Sequence, residues 1–100
     1  MPVLIRYAGG GLTRAQYDEV GEKLQAQGYW PADGLILHVS FGPDGDMRVS
    51  EVWESREKLE AFQERLFPIL QQVGAPTTPE PELFDVYNVL SLEYSTASAS

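Results

Sequence analysis

A chain of 100 residues with 43% hydrophobic and 11% aromatic side chains can build one packed core and leaves no room for a second domain. With 15 acidic against 7 basic residues the formal net charge is -8, a field that repels phosphate backbones and anionic lipid surfaces, so neither nucleic acid nor membrane is expected as a partner. Cysteine is absent, which excludes disulfides, thiolate nucleophiles and cysteine-based zinc sites.

Val3 to Ala8 carries Val, Ile and Tyr in weak alternation and then meets Gly9, Gly10 and Gly11, predicting a short strand that ends in a flexible turn. The glycines stop this stretch short of signal-peptide length, and no run approaches the roughly 20 apolar residues that span a bilayer; the expectation is a cytoplasmic protein. Thr13 stands three residues before Gln16 as in a capping box, and Tyr17, Val20 and Leu24 recur at helical spacing until Gly28 supplies a stop. Tyr29 to Gly34 is turn-rich, and Leu35 to Phe41 is a β-prone run. Within Gly42 to Asp46, Asp44-Gly45 suits a two-residue hairpin because both positions tolerate positive φ, so Met47 to Trp53 is predicted to pair antiparallel with the preceding strand. Ser55 caps a second helix with an apolar stripe of Leu59, Phe62, Leu66 and Phe67, predicted to break at Pro68 and resume briefly over Ile69 to Val73. Pro76, Pro79 and Pro81 mark an extended linker, Leu83 to Leu90 returns to a β pattern, and the polar tail Ser95 to Ser100 has too little apolar surface to order itself.

The order β-α-β-β-α-β over residues 1–94 predicts one ferredoxin-like α+β domain, a four-stranded antiparallel sheet with two helices on one face. By alternation Leu35, Leu37, Val39 and Phe41 point to one side and Ile36 to the other, while Phe84, Val86 and Leu90 oppose Tyr87 and Val89. Apolar residues on both sides of these strands predict that the helix-free face is covered by a second copy, giving a homodimer.

At Val52-Trp53-Glu54-Ser55, followed by Leu59 and Phe62, the chain resembles the antibiotic-biosynthesis-monooxygenase-like superfamily of dimeric α/β barrels. In that superfamily the third strand commonly ends in Trp-x-Ser and runs into a helix with aromatic or aliphatic residues on its inner side. The resemblance implies two sheets facing each other as a barrel, and in each protomer a ligand cleft between sheet and helices. Its members include cofactor-independent monooxygenases of quinols or polycyclic phenols and haem-degrading enzymes. The haem-degrading pattern has an Asn on the first strand, a Trp on the second helix and a ligating His beyond it. Here the first strand has Arg6 and Tyr7, Phe62 stands at the Trp place as a substrate-binding candidate, and only glutamines and aliphatics follow Pro68. No haem, and no other cofactor, is expected.

His38 is the only histidine. If Asp44 and Gly45 are the turn residues, Pro43 faces Asp46, and counting back puts His38 opposite Glu51 and Ile36 opposite Trp53. An imidazole held beside a carboxylate is the arrangement general acid or base catalysis on a phenol or enol requires, which makes His38 and Glu51 the catalytic candidates. A satisfied structural hydrogen bond or a dimer contact is the other reading of the same pair. Tyr7, Trp53, Trp30 and Tyr87 can line an apolar pocket for an aromatic molecule or simply pack the core. Asn88, polar in an apolar run, can donate to a ligand oxygen or satisfy sheet backbone. Arg6 and Arg48 read as surface ion-pair partners. Gly9-Gly10-Gly11 lacks the spacing of a phosphate loop, and without cysteine or a second histidine no transition-metal site is expected. Two functions remain: a small enzyme, a cofactor-independent monooxygenase or acid/base catalyst for a phenolic or quinol-like compound, or a non-catalytic dimeric module that binds a small apolar ligand or is packed shut.

Overall fold

The computed structural model describes residues 1–8, 10–78, 80–92 and 94. Gly9 of the predicted turn, Pro79 of the linker and the tail Ser95 to Ser100 lie outside the described residues. The elements are β1 (Val3–Tyr7), α1 (Arg14–Ala26), β2 (Leu35–Phe41), β3 (Arg48–Trp53), α2 (Arg56–Val73) and β4 (Glu82–Asp85). All strand pairs are antiparallel, in the sheet order β2-β3-β1-β4.

Local chemistry explains most boundaries. Thr13 and Gln16 form the reciprocal capping box at the start of α1, each bond 3.0 Å long, and Gly28 at φ 76° follows the helix end. Ser55 caps α2 by accepting from the Lys58 backbone N–H at 3.2 Å. The expected break at Pro68 does not occur: α2 runs unbroken to Val73. Pro68 and Glu64 are both exposed, so the carbonyl that loses its i+4 donor is left in water, while Phe62 and Ile69 hold the opposite side of the helix in the core.

The Asp44-Gly45 turn closes with the Asp46 N–H donating to the Pro43 carbonyl at 2.9 Å, which sets Phe41 opposite Arg48 and His38 opposite Glu51. Further along, the register shifts between Leu35 and Leu37, so Leu35, not Ile36, stands opposite Trp53. Ile36 is taken up as a β-bulge on an edge strand, where an extra residue costs the ladder least, and Leu35 is thereby turned onto the core. The fourth strand is also shorter than its apolar pattern. Asp85 pairs with Val3, the Val86 N–H reaches the Pro2 carbonyl at 3.0 Å, and the ladder stops there because Pro2 has no N–H to return. Tyr87 and Leu90 therefore lie beyond the strand and are exposed.

Val3 and Ile5 of β1 and Trp53 of β3 pack with Val20 and Leu24 of α1 and Leu59, Phe62 and Ile69 of α2 to form the core. Trp53 is wholly buried. The other sheet face carries Leu37, Val39, Phe41 and Phe84, between 38% and 51% exposed. Among the described residues, no helix is long and apolar enough to cross a membrane.

Candidate functional site

Glu51 sits on the central strand β3, on the helix-covered face, with His38 beside it on β2 and Ile5 on β1. It is 4% exposed, and a buried carboxylate is costly unless its oxygens are paired. Both are. Oε2 lies 2.7 Å from His38 Nδ1, and Oε1 accepts the Trp53 indole N–H at 3.1 Å. The remaining imidazole nitrogen, Nε2, lies 2.7 Å from the hydroxyl of Tyr17. Among the described residues, no buried polar side-chain atom lacks a partner.

Tyr17 is delivered to this point by the loop contacts at the start of α1. The Arg14 backbone N–H donates to Asp44 Oδ1 at 3.0 Å, and the Leu12 carbonyl accepts the Met47 N–H at 2.9 Å, tying the helix N-terminus to the β2–β3 hairpin. One helical turn later Tyr17 faces the sheet above His38. Aromatic rings complete the surroundings. Tyr17 lies nearly parallel to the imidazole, Trp30 meets it edge-on with centroids 5.2 Å apart, and Phe62 packs against both Trp30 and Trp53.

Hydrogen-bonding capacity orders the protons. Indole can only donate, so Glu51 Oε1 accepts; an ionised Glu51 accepts at Oε2 as well, which puts a proton on His38 Nδ1. The neutral ring then accepts from Tyr17 at Nε2, and the imidazolium would donate to the same oxygen. Tyr17, His38 and Glu51 thus form one proton path ending on a carboxylate held by Trp53. With the proton on Nδ1, the ring's one lone pair able to bind a metal is on Nε2, and it is engaged by Tyr17. Among the described residues, no group of three or more His, Asp or Glu gathers as a metal-ligand set.

The other sequence candidates fall in different places. Tyr7 is on the same sheet face, but its oxygen accepts from Gln63 Nε2 at 3.1 Å instead of joining the His38 path. Burial pushes the Tyr7 phenol up to about 12, the Glu51 charge adds to the rise, and the Gln63 donor partly opposes it. Trp53 and Phe62 are buried core residues beside the path. Asn88 and Tyr87 are exposed and follow the end of β4, the edge strand opposite β2, and neither belongs to the His38 path. Tyr17 belongs to the site although the sequence marks it only as one member of an inward helical stripe.

A pocket of about 120 Å³ lies at one end of the strands between Arg6, Tyr7, Phe41 and Arg48, and one of about 80 Å³ lies between Tyr29, Lys58, Phe62 and Arg65. Neither His38 nor Tyr17 lines either of them.

The sheet order and the two helices over one face define a ferredoxin-like α+β domain. The chain shares this fold with antibiotic-biosynthesis-monooxygenase-like proteins. SnoaB from Streptomyces nogalater, a cofactor-independent oxygenase, superposes with a TM-score of 0.60 at 16% identity, over 89% of this chain and 95% of that one. A proposed antibiotic biosynthesis monooxygenase from Deinococcus radiodurans gives 0.55 at 10% identity, over 94% and 100%. The heme-degrading protein Rv3592 from Mycobacterium tuberculosis gives 0.52 at 18% identity, over 91% and 100%. No sequence-family profile matches the chain, and no curated protein matches it. At these identities the likeness is one of fold.

Proposed function

We propose that this protein is a small acid/base enzyme of the cofactor-independent monooxygenase type, acting on a phenolic or quinol-like compound. The observation that carries the reading is the His38–Glu51 pair at 2.7 Å on the helix-covered face of the sheet, continued to Tyr17 and walled by aromatic rings. A buried carboxylate that orients an imidazole is what a general base needs, and flat apolar walls suit an aromatic substrate. The fold shared with SnoaB, described as a cofactor-independent oxygenase, supports the same class.

The chemistry asked of the residues is proton removal. An electron-rich phenolate reacts with dioxygen using its own electrons, and the resulting hydroperoxide loses water to leave a quinone. For 1-naphthol, one O2 is consumed for each 1,4-naphthoquinone and each water formed. The test is O2 uptake and quinone formation with 1-naphthol. His38→Ala should lose about 10²- to 10⁴-fold in rate, the usual contribution of a positioned base. Quinone formation no faster than in buffer, with 1-naphthol bound, would overturn the reading.

The pockets favour a second reading. Neither one reaches His38, as a non-catalytic module with a closed cleft would have it, and the polar path would then only fix the core. In either case we propose a homodimer through the helix-free face, supported by the exposed Leu37, Val39, Phe41 and Phe84 on that face.

A further inference from the structure

We infer that Tyr17 is the residue of this site that meets the substrate, and that His38 and Glu51 act through it; this rests on the acid/base reading proposed above. Both imidazole nitrogens are already engaged, Nδ1 by Glu51 and Nε2 by Tyr17, each at 2.7 Å. A neutral imidazole has one donor and one acceptor, so the ring has no hydrogen-bonding position left for a ligand. The Tyr17 oxygen, donating its one proton to Nε2, keeps an acceptor site. The Glu51 side chain is only 5% exposed, while His38 and Tyr17 are both half-buried.

The step follows the order of the groups. The substrate O–H bond breaks as its proton passes to the Tyr17 oxygen, while the Tyr17 O–H bond breaks as that proton passes to His38 Nε2. The products are a substrate phenolate, a neutral Tyr17 and an imidazolium whose charge is balanced by Glu51. No electron moves and no oxidant enters this step. In the return direction the imidazolium reprotonates Tyr17, which hands a proton to the product. His38 and Glu51 are then positioning residues for a phenol that exchanges protons, the logic of a nucleophile–base–carboxylate triad applied to tyrosine. The substrate class this fits is a single-hydroxyl aromatic, whose one proton the Tyr17 oxygen can accept.

Because His38 is the only histidine, its ring nitrogens can be assigned without ambiguity by nitrogen-15 NMR of the full chain. The expected spectrum has a proton on Nδ1 and an accepting Nε2, and Tyr17→Phe should move the Nε2 resonance by several ppm towards a free acceptor while Nδ1 stays. Adding 1-naphthol should shift Nε2 in the unaltered protein and leave it unmoved in Tyr17→Phe. In turnover, Tyr17→Phe and His38→Ala should each lose about 10²- to 10⁴-fold, and the double variant no more, because residues in one relay are not additive. A naphthol-induced Nε2 shift that persists undiminished in Tyr17→Phe would show direct contact with His38 and overturn the inference. So would full turnover in Tyr17→Phe alongside loss in His38→Ala, an outcome that leaves the acid/base reading standing. Full turnover in His38→Ala would instead remove that reading, and the inference with it.

Discussion

Trp53 donates its indole N–H to Glu51, two residues back on the same face of β3, at 3.1 Å. The contact links the most buried ring of the core to the carboxylate that orients the imidazole, so core packing and site geometry share an atom. Trp53→Phe keeps an aromatic ring but leaves Glu51 Oε1 without its donor inside the protein. The expected cost is about 2–4 kcal/mol, from a lost hydrogen bond to a charged group plus the smaller ring. Urea unfolding measures it, and a loss below about 0.5 kcal/mol would show the bond to be dispensable.

Glu51→Gln tests the proton order instead of the packing. The amide oxygen can still accept from Trp53, but its NH2 then faces His38 Nδ1, which must become the acceptor, and the ring proton moves to Nε2. Tyr17 would lose the acceptor that receives its proton. The expected outcome is a folded protein with the opposite histidine tautomer by NMR and turnover lower by about 10³-fold or more. An unchanged tautomer would show that the carboxylate does not set the ring.

The His38–Glu51 pairing was legible because Asp44-Gly45 names its own turn, and a two-residue turn dictates every pair counted back from it. The count fails at Ile36, where a bulge absorbs one residue, because no side-chain type announces a bulge on an edge strand. Pro68 misleads for a related reason. Its cost to a helix depends on whether Glu64 is solvated, and that is a property of the packed helix and not of the local sequence. The capping box and the stripe of Tyr17, Val20 and Leu24 predict that Tyr17 faces inward. Which strand residue lies beneath it is set by the Arg14–Asp44 and Leu12–Met47 ties between helix and hairpin, and these arise only in the assembled fold.

Tyr7 gives the stability a dependence on alkaline pH. Its folded-state value is raised from 10.0 to about 12, chiefly by burial, so the folded state holds the phenol proton more tightly than the unfolded chain does. The contribution is fully present below about pH 10 and is lost as pH rises from about 10 through about 12, because in that window the unfolded chain has released a proton that the folded one keeps. Urea midpoints measured at pH 8 and across pH 10 to 12 should fall over this window in the unaltered protein, and by less in Tyr7→Phe. Equal falls in both would place the alkaline sensitivity elsewhere.

Val39 lies on the helix-free face of β2, 42% exposed and paired with Ser50, with Leu37 and Phe41 pointing the same way along the strand. If two copies meet through this face about a two-fold axis, each substitution enters the interface twice. Val39→Glu then buries two carboxylates; Arg6 and Arg48 are the cations nearest in register on the same face, and the desolvation cost of a buried ion pair can exceed what the pairing returns. The side chain points away from the core of Val3, Ile5 and Trp53, so the fold of each protomer should survive. Sedimentation at micromolar concentration should show a dimer for the unaltered chain and for Val39→Leu, which preserves the apolar surface. Val39→Glu should be monomeric, with dissociation favoured by about 10²-fold or more. A dimer that survives Val39→Glu would mean the copies meet elsewhere, and a monomeric unaltered chain would leave this face without a second copy to cover it.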